Sequence, residues 1–274
     1  MFNQLETLSD EQIEKLRKIR SFIKNLNSAC VAYSGGVDST LVISLAFEQL
    51  GSKAIAITGV SPALANTLLE EARSQAKWIG IQQLEIETSE LDQKSYSENS
   101  KDRCFACKKE LHKHTKYLSK KLNYKIVLDG VNFDDLKDYR PGIQAAKTAG
   151  VISPLAKFEF SKKDIRDISR AFGFPWWDKP AQPCLSSRFP YGHEITNERL
   201  KMVEKAEEYI KKRGISEVRV RCQGSTARIE IPKDKIKIFF KKYDFNELVN
   251  YFSNIGFNCT SLDLEGLISG KLNR

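Results

Sequence analysis

Two stretches and one isolated thiol carry the residue types that do chemistry. Residues 34–40 read S-G-G-V-D-S-T and combine paired glycines, three hydroxyls and one carboxylate. Cys104 and Cys107 form a C-x-x-C pair, and Cys184 follows in a proline-rich segment. Glycines let a backbone approach an anion closely, and thiolates are ligands of zinc and of iron–sulfur clusters. The sequence therefore predicts phosphate chemistry at the first stretch and metal or redox chemistry at the thiols.

The first stretch lies between two apolar runs, residues 29–33 and 41–47. This order predicts a strand, a tight turn and a helix whose first amides face the turn and favour negative charge. The spacing excludes a Walker A motif, which needs four residues between its glycines and a lysine after the second. A turn that merely required glycine is the alternative. The residues predicted to form this phosphate site are Ser34, Gly35, Gly36, Asp38, Ser39 and Thr40.

The C-x-x-C pair has three common meanings: a redox dithiol, half of a zinc site, or two ligands of an iron–sulfur cluster. A zinc site would need two further ligands, which Cys184 and either His112 or His114 can supply. Three thiols that only pack are the remaining alternative. For the other cysteines, Cys30, Cys222 and Cys259, packing in predicted strands is expected.

Alternating strands and helices position these residues. Predicted strands at 29–33, 53–58, 81–87 and 124–128 are separated by helical segments. Capping boxes at Ser9–Gln12 and Ser161–Asp164 predict the starts of two helices, Pro62 suits the first turn of another, and the polar residues 89–103 are expected to be loop. This alternation predicts an α/β fold with a doubly wound parallel sheet, whose ligands lie beyond the carboxyl ends of the strands. Thr58, Asp129 and Asn132 fall at such ends, as do Asp134 and Asp135. Their oxygens can hold Mg²⁺ or nucleotide hydroxyls, and a helix-capping turn is the alternative.

A smaller domain follows. Residues 174–190 contain four prolines, which exclude a continuous helix, and we place a domain junction there. The predicted domains are residues 1–190 and an α+β domain of residues 191–274, in which one helix is expected over about residues 234–252. In the second, Arg219 and Arg221 share one strand face and can grip a phosphate, although a solvated sheet face is the alternative. Arg140 and Arg188 are further candidates for anion contacts.

Composition sets broad limits. The chain has 274 residues, 41% of them hydrophobic, and a formal net charge of +9. Its positive charge favours anionic ligands. No apolar run reaches the length of a membrane span, and the first residues show no basic-then-apolar leader, so we expect a cytoplasmic protein without membrane contact. Six cysteines in such a chain favour metal or catalysis over disulfides.

The motifs resemble a known family when taken together. The S-G-G-x-D-S loop is similar to that of pyrophosphate-loop ATP pyrophosphatases, which cleave ATP between its α and β phosphates. The full series, with D-R-C-F-A-C-K, G-V-N-F-D-D-L-K-D-Y-R-P-G, P-C-L-S-S-R, V-R-V-R, A-R-I-E and L-D-L-E-G, resembles the LarE family over residues 10–272. LarE enzymes are ATP-dependent sulfur transferases that mature the nickel-pincer nucleotide cofactor of lactate racemase. One departure is R-C-Q-G at residues 221–224, where a histidine is expected before the glycine.

The resemblance implies a function. It implies that ATP with Mg²⁺ adenylates a carboxylate of a pyridinium biscarboxylic acid mononucleotide, which becomes a thiocarboxylate. Catalytic roles fall to Asp38, Cys184 and Arg188, and substrate-phosphate binding to Arg219 and Arg221. One LarE subtype consumes the cysteine matching Cys184. The other holds a [4Fe-4S] cluster, and the presence of Cys104 and Cys107 beside Cys184 favours this cluster subtype.

The expected partners are the mononucleotide substrate, a nickel-inserting protein and further copies of this chain. A tRNA thiolase also joins a pyrophosphate loop to three cysteines, but no added RNA-binding module is evident, so we do not expect nucleic acid. A protein that binds ATP without turnover is the third possibility.

Overall fold

The computed structural model describes residues 4–137, 141–268 and 270–271. None of the helices in these ranges is both long and apolar enough to cross a bilayer. The helices are α1 (Asp10–Lys24), α2 (Val37–Leu50), α3 (Asn66–Ile79), α4 (Lys94–Ser97), α5 (Arg103–Lys121), α6 (Pro141–Thr148), α7 (Pro154–Lys157), α8 (Lys162–Ala171), α9 (Asn197–Lys212), α10 (Ile236–Lys242) and α11 (Phe245–Asn254). The strands are β1 (Ala29–Ala32), β2 (Ala54–Val60), β3 (Gln82–Glu87), β4 (Ile126–Leu128), β5 (Arg219–Gln223), β6 (Thr226–Glu230) and β7 (Cys259–Leu262).

Two compact units divide the chain. The first comprises Met1–Glu90 with Cys104–Gln182, and the second comprises Leu91–Arg103 with Pro183–Arg274. The chain therefore enters the second unit twice, first for a short segment and then for its C-terminal part. The predicted domains, 1–190 and 191–274, stay a prediction about which stretches fold on their own.

The first unit contains a parallel sheet with the order β3-β2-β1-β4. Alternate strand residues point to opposite faces, and both faces are covered. Ala29 and Val31 pack into the larger cluster, with residues of α1, α2, α3 and α8. Cys30 lies in the cluster on the other face, against Leu118 of α5. The predicted doubly wound α/β fold is thus confirmed.

The second unit contains a three-stranded sheet with the order β5-β6-β7. β5 and β6 are antiparallel neighbours joined by a tight turn, whereas β6 and β7 run parallel. A parallel pair needs a crossover, which α10 and α11 provide. α9 packs on β5 through buried residues such as Leu200 and Val203.

Three local predictions need correction. The helix expected from Pro62 begins at Asn66, because residues 61–64 form a turn. Residues 89–103, expected to be loop, contain α4. The single helix expected over residues 234–252 is two helices. Asp244 breaks it, because its Oδ1 accepts from the amides of Asn246 and Glu247 and so starts α11.

Candidate functional site

The loop between β1 and α2 is tightly built. Gly35 has φ +71°, a conformation that L side chains rarely adopt, and a Cβ there would lie 3.0 Å from the Cβ of Ala72. The Ser39 hydroxyl donates to the Gly36 carbonyl (3.1 Å) and accepts from the Ser34 amide (3.3 Å). The two serine hydroxyl oxygens lie 3.2 Å apart. Residues 34–39, hereafter the glycine loop, are thus a preformed turn.

The amino end of α2 is open at this loop. Gly36 occupies the N-cap position, and no side chain among the described residues caps this helix end. The first amides of the helix therefore point into the loop without a side-chain acceptor, and the dipole adds partial positive charge there. Such an end is a ready site for a phosphate oxygen.

Two of the predicted nucleotide ligands lie too deep for direct contact in this conformation. Thr40 is fully buried, and its hydroxyl lies within hydrogen-bond distance of the Gly36 carbonyl (2.8 Å) and of Oε1 of Gln75 (3.0 Å). Tyr33 also donates to Gln75 Oε1 (2.8 Å). Thr58 is buried and accepts from Gln83 Nε2 (2.9 Å). These hydroxyls stiffen the walls of the site, and their predicted nucleotide contacts stay predictions.

The turn after β4 lies directly against the glycine loop. A Cβ added to Gly130 would lie 2.7 Å from the backbone nitrogen of Ser39. β1 pairs with β2 on one side and with β4 on the other, so the crevice between the carboxyl ends of β1 and β4 is the topological switch point of the sheet. Asp129 enters this crevice at the end of β4, and it is buried. Burial raises the pKa of Asp129, although bonds from Ser153 and the Val131 amide oppose that rise.

Asn132 and Asp135 form a reciprocal turn beyond Asp129. The Asn132 amide donates to Asp135 Oδ2 (3.2 Å), and the Asp135 amide donates to Asn132 Oδ1 (3.0 Å). Asn132 is buried. The turn arrangement considered from the sequence is therefore present, and it fixes the backbone that follows Asp129. Arg140 lies outside the described residues.

Two lysines that no sequence motif indicated complete the site in the first unit. Lys162 Nζ contacts both carboxylate oxygens of Asp38, at 2.6 and 2.8 Å, and the Lys162 amide donates to Asp134 Oδ2 (2.8 Å). Lys179 Nζ donates to the Gly35 carbonyl (3.2 Å) and pairs with Glu71. The Ser161–Asp164 capping box marked the start of α8 but gave no sign that Lys162 reaches the glycine loop.

Cys104 and Cys107 lie in the first turn of α5, three residues apart and hence on neighbouring positions of one helix face. Cys104 is exposed and Cys107 half-buried. Within the described ranges, no three His, Cys, Asp or Glu side chains form a group placed to hold a metal ion. Cys184 belongs to the second unit, so the three-cysteine cluster stays a prediction. His114 pairs with Glu110 (2.7 Å) on the same helix.

In the second unit, Arg188 holds the segment that carries Cys184. Its guanidinium donates to the carbonyls of Pro183 (2.6 Å) and Cys184 (3.1 Å) and pairs with Glu207 through two bonds of 2.7 and 3.0 Å. Both charged side chains are buried. Burial lowers the Arg188 pKa, but Glu207 more than offsets that effect, so the pKa is raised. Cys184 itself is exposed at the start of a 3-10 helix, Leu185–Arg188.

Arg219 and Arg221 differ in their surroundings. Arg221 is only 2% exposed, pairs with Glu230 (2.9 Å) and donates to the Ser187 carbonyl (2.6 Å). Arg219 is half-buried, and no carboxylate of the described residues forms an ion pair with it. Burial and the charges of Arg188 and Arg221 lower the pKa of Arg219. The same role was predicted for both arginines, but their surroundings differ. Arg221 supports the Cys184 segment, and Arg219 is the cation available to an anion.

The comparisons with known proteins cover nearly the whole chain. No protein-family model matches it. The chain is 53% identical over 260 residues to an uncharacterized protein of Synechocystis sp., slr1717, covering 95% of this chain and 97% of that protein. It is 31% identical over 256 residues to an uncharacterized protein of Methanocaldococcus jannaschii, MJ0830, covering 92% and 97%.

A third relative has a named activity. The chain is 34% identical over 253 residues to the pyridinium-3,5-bisthiocarboxylic acid mononucleotide synthase of Lactiplantibacillus plantarum, and the match covers 92% of this chain and 91% of that protein. Identity at this level over more than nine-tenths of both chains is the mark of common descent. The chain belongs to the LarE family.

Proposed function

We propose that this protein is an ATP-dependent sulfur transferase that converts a carboxylate of a pyridinium biscarboxylic acid mononucleotide into a thiocarboxylate for nickel-pincer cofactor synthesis. The product named for the L. plantarum relative supports this substrate class. The observation that carries the proposal is the open amino end of α2 above the glycine loop, because it is built to receive phosphate oxygens.

The first step is adenylation. A substrate carboxylate oxygen attacks the α phosphorus of ATP, the bond to the bridging oxygen breaks, and pyrophosphate leaves with that electron pair. The glycine-loop amides and the ammonium groups of Lys162 and Lys179 lie where they can neutralise charge that grows on the phosphate oxygens. Asp38 and Asp129 are the carboxylates of this crevice that would hold Mg²⁺, which neutralises the departing pyrophosphate when bound.

The substrate must be held by its own phosphate. Arg219 is suited to this role because it is half-buried, flanked by two further arginines and without an ion-pair partner among the described residues. Replacing Arg219 by Ala should raise the KM for the mononucleotide more than the KM for ATP. We expect a smaller specific effect from Arg221→Ala, since that side chain is already occupied by Glu230 and Ser187.

The second step transfers sulfur, and a sulfur nucleophile displaces AMP from the acyl carbon. We propose Cys104, Cys107 and Cys184 as ligands of a [4Fe-4S] cluster, which would supply a bound sulfide when present. The three cysteines meet part of what such a cluster requires. Two thiols share the first turn of one helix, where the dipole favours thiolate, and all three are exposed or half-buried.

Sacrifice of Cys184 is the second candidate for the sulfur step. Two observations favour it: Cys184 is exposed, and Arg188 fixes the two carbonyls beside it. Here the Cys184 thiolate displaces AMP to form a thioester. Loss of the Cα proton then breaks the Cβ–S bond, which leaves dehydroalanine on the protein and sulfur on the product.

Pyrophosphate release tests the first step. Protein prepared without oxygen is given ATP, Mg²⁺ and the pyridinium mononucleotide, and Ser39→Ala is compared with wild type. We expect a loss of about 10²–10³-fold, as for removal of one group that shapes an oxyanion site. Ser44→Ala is the matched control, because Ser44 lies on the same helix, is buried and donates its hydroxyl to the Thr40 carbonyl (2.8 Å), outside the glycine loop. Equal rates in wild type and Ser39→Ala would exclude this ATP site.

The iron content of the protein and the mass of its Cys184 peptide distinguish the two sulfur sources. For the cluster, wild type should contain iron and inorganic sulfide and turn over repeatedly with added sulfide, and Cys104→Ala, Cys107→Ala and Cys184→Ala should each lose iron. For the sacrificial route, iron-free wild type reacts once, and the peptide bearing Cys184 loses the mass of H₂S. In that case Cys104→Ala would keep full activity.

A further inference from the structure

A second cavity lies in the first unit, away from the glycine loop. Its volume is about 480 Å³, within the range of small-molecule sites. Tyr124 and Lys125, which precede β4, line it, whereas Asp129 and Gly130 of the candidate site follow that strand. The cavity is therefore at the amino end of β4, and the proposed chemistry does not use it.

The charges around this cavity have one sign. Lys116, Lys120 and Lys125 line it, together with Ser119, Asn123 and Tyr124, and no carboxylate is among its lining residues. None of the three lysines forms an ion pair with another described residue, in contrast to Lys162 and Lys179 at the glycine loop. Three ammonium groups that share an open cavity repel one another unless an anion joins them.

The carboxyl ends of two helices reduce the positive charge of the cavity without cancelling it. α5 ends beside the cavity in a turn at Asn123 (φ 60°), where the Tyr124 amide donates to the Ser119 carbonyl (2.7 Å). α6 ends at Thr148, and Gly150 (φ 74°), which follows it, lines the cavity. Each helix end contributes about half a negative charge, so the three lysines leave a net charge of about +2.

The lining also indicates what the anion carries. The ring of Tyr124 is half-buried, and its hydroxyl donates to the Ser52 carbonyl (3.4 Å), so the ring has a fixed place. A flat ring beside a cationic cavity offers an apolar face to an organic group. The matching charge for the lysines is a dianion, which a phosphate monoester provides at neutral pH.

We propose that this cavity is a second ligand site, which binds the phosphate group of a small organic phosphate monoester through Lys116, Lys120 and Lys125 and its organic part against Tyr124. The site is separate from the glycine loop and does not depend on the proposed sulfur transfer. A small concave cavity suits one such molecule better than a nucleic-acid strand, which needs a groove open at both ends.

Calorimetric titration of the full chain with phenyl phosphate, at low ionic strength, tests this site. We expect Lys116→Gln/Lys120→Gln/Lys125→Gln to bind at least about tenfold more weakly than wild type, because exposed charges at contact distance interact measurably at low salt. Lys233→Gln/Lys237→Gln/Lys241→Gln removes the same charge from exposed positions of the second unit and should bind like wild type.

Further variants test where phenyl phosphate binds and which part of the ligand each residue recognises. Ser39→Ala should bind phenyl phosphate unchanged, since it alters only the glycine loop. Tyr124→Ala should weaken phenyl phosphate but not inorganic phosphate, and Tyr124→Phe should weaken neither. Unchanged binding in the cavity variant, or equal losses in both triple variants, would overturn the site. Should the triple variant unfold, Lys125→Gln alone, with an expected loss of about threefold, replaces it.

Discussion

Among single residues, the position of Lys162 in the helix is unusual. It is the first residue of α8, where the helix dipole disfavours a cation. The Asp38 carboxylate, with both oxygens within 2.8 Å of Nζ, offsets that cost. A lysine that one carboxylate holds at an unfavourable helix end can exchange that carboxylate for a more strongly charged anion. Binding of a phosphate chain with its metal at Asp38 would do this.

The contribution of Lys162 can be measured against its neighbour. Lys162→Met keeps the aliphatic stem and removes the charge, so we expect pyrophosphate release to fall about 10²–10³-fold while the fold persists. Lys163→Met is the control, because Lys163 is exposed and pairs with Asp167 one turn along the same helix. A similar fall in both variants would show that α8 as a whole, and not the ammonium group of Lys162, is at fault.

His112 should make stability depend on pH. It is 2% exposed, and burial, with a smaller effect of Lys108, lowers its pKa to about 4 from the ordinary 6.5. Between these values the unfolded chain binds the proton and the folded chain does not. The free energy of unfolding should therefore fall as pH drops from 6.5 to 4, by about 3 kcal/mol from this residue.

Urea unfolding at several pH values checks the effect of His112. His112→Gln does not titrate, so its free energy of unfolding should vary less between pH 6.5 and 4 than that of wild type. His114→Gln is the control, because His114 is more exposed and lies on the same helix. Parallel pH profiles for wild type and His112→Gln would show that His112 does not lose its proton on folding.

At the scale of elements, the turn after β4 lies so close to the glycine loop that the contact leaves no room for a side chain at Gly130. In Gly130→Ala, the new methyl group would meet backbone atoms of Ser39 at 2.7–2.8 Å, which only a backbone shift can relieve. We expect this variant to lose pyrophosphate release by about 10²-fold, since small misplacements at a reacting centre have effects of that size.

Gly59→Ala is the matched control for Gly130→Ala. Its methyl group would meet the end of the Leu111 side chain at 2.8 Å, and that side chain can turn away. We expect near-normal rates. The comparison uses steady-state pyrophosphate release, with circular dichroism to verify the fold. A wild-type rate in Gly130→Ala would mean that the two loops do not need this close approach.

The sequence predicted most of the elements, and its glycine pair marked the loop around which the candidate site lies. Hydrophobic alternation, the glycine pair and two capping boxes predicted β1, α1 and α8 within a residue or two, because these signals are local. It could not show that Lys162 reaches Asp38, 124 residues away, or that Glu207 and Glu230 neutralise buried arginines. Such pairs depend on how strands and helices are brought together, which no local pattern encodes.

At the scale of the whole molecule, the segment 91–103 is part of the second unit. Tyr96 is buried, and its hydroxyl lies 2.5 Å from that of Ser186. Asn99 Nδ2 donates to the carbonyls of Phe189 (3.2 Å) and Pro190 (2.7 Å). A fragment that starts at residue 183 would lack these contacts and expose the groups they satisfy.

We therefore expect the fragment 183–274 to be less stable than the same fragment fused through a flexible linker to residues 91–103. The loss should be about 2–4 kcal/mol, from the lost burial of the Tyr96 side chain and the lost hydrogen bonds of Tyr96 and Asn99. Urea unfolding of the two fragments measures the difference. A fusion in which Tyr96 and Asn99 are both Ala should behave like the shorter fragment. Equal stability of fragment and fusion would show that residues 91–103 are dispensable for folding of this unit.

During synthesis, the segment 91–103 emerges well before the residues that it contacts in the second unit. Asn99 leaves the ribosome 91 residues before Pro190, the acceptor of its shorter bond. At about 5–20 residues per second, the interval is about 5–20 s. Throughout it, Tyr96 cannot contact Ser186, and Asn99 cannot contact Phe189 or Pro190, although β3 and β4 on either side of the segment emerge and can pair. A translation pause shortly after residue 103 would lengthen this exposed period, and a pause after residue 190 would not.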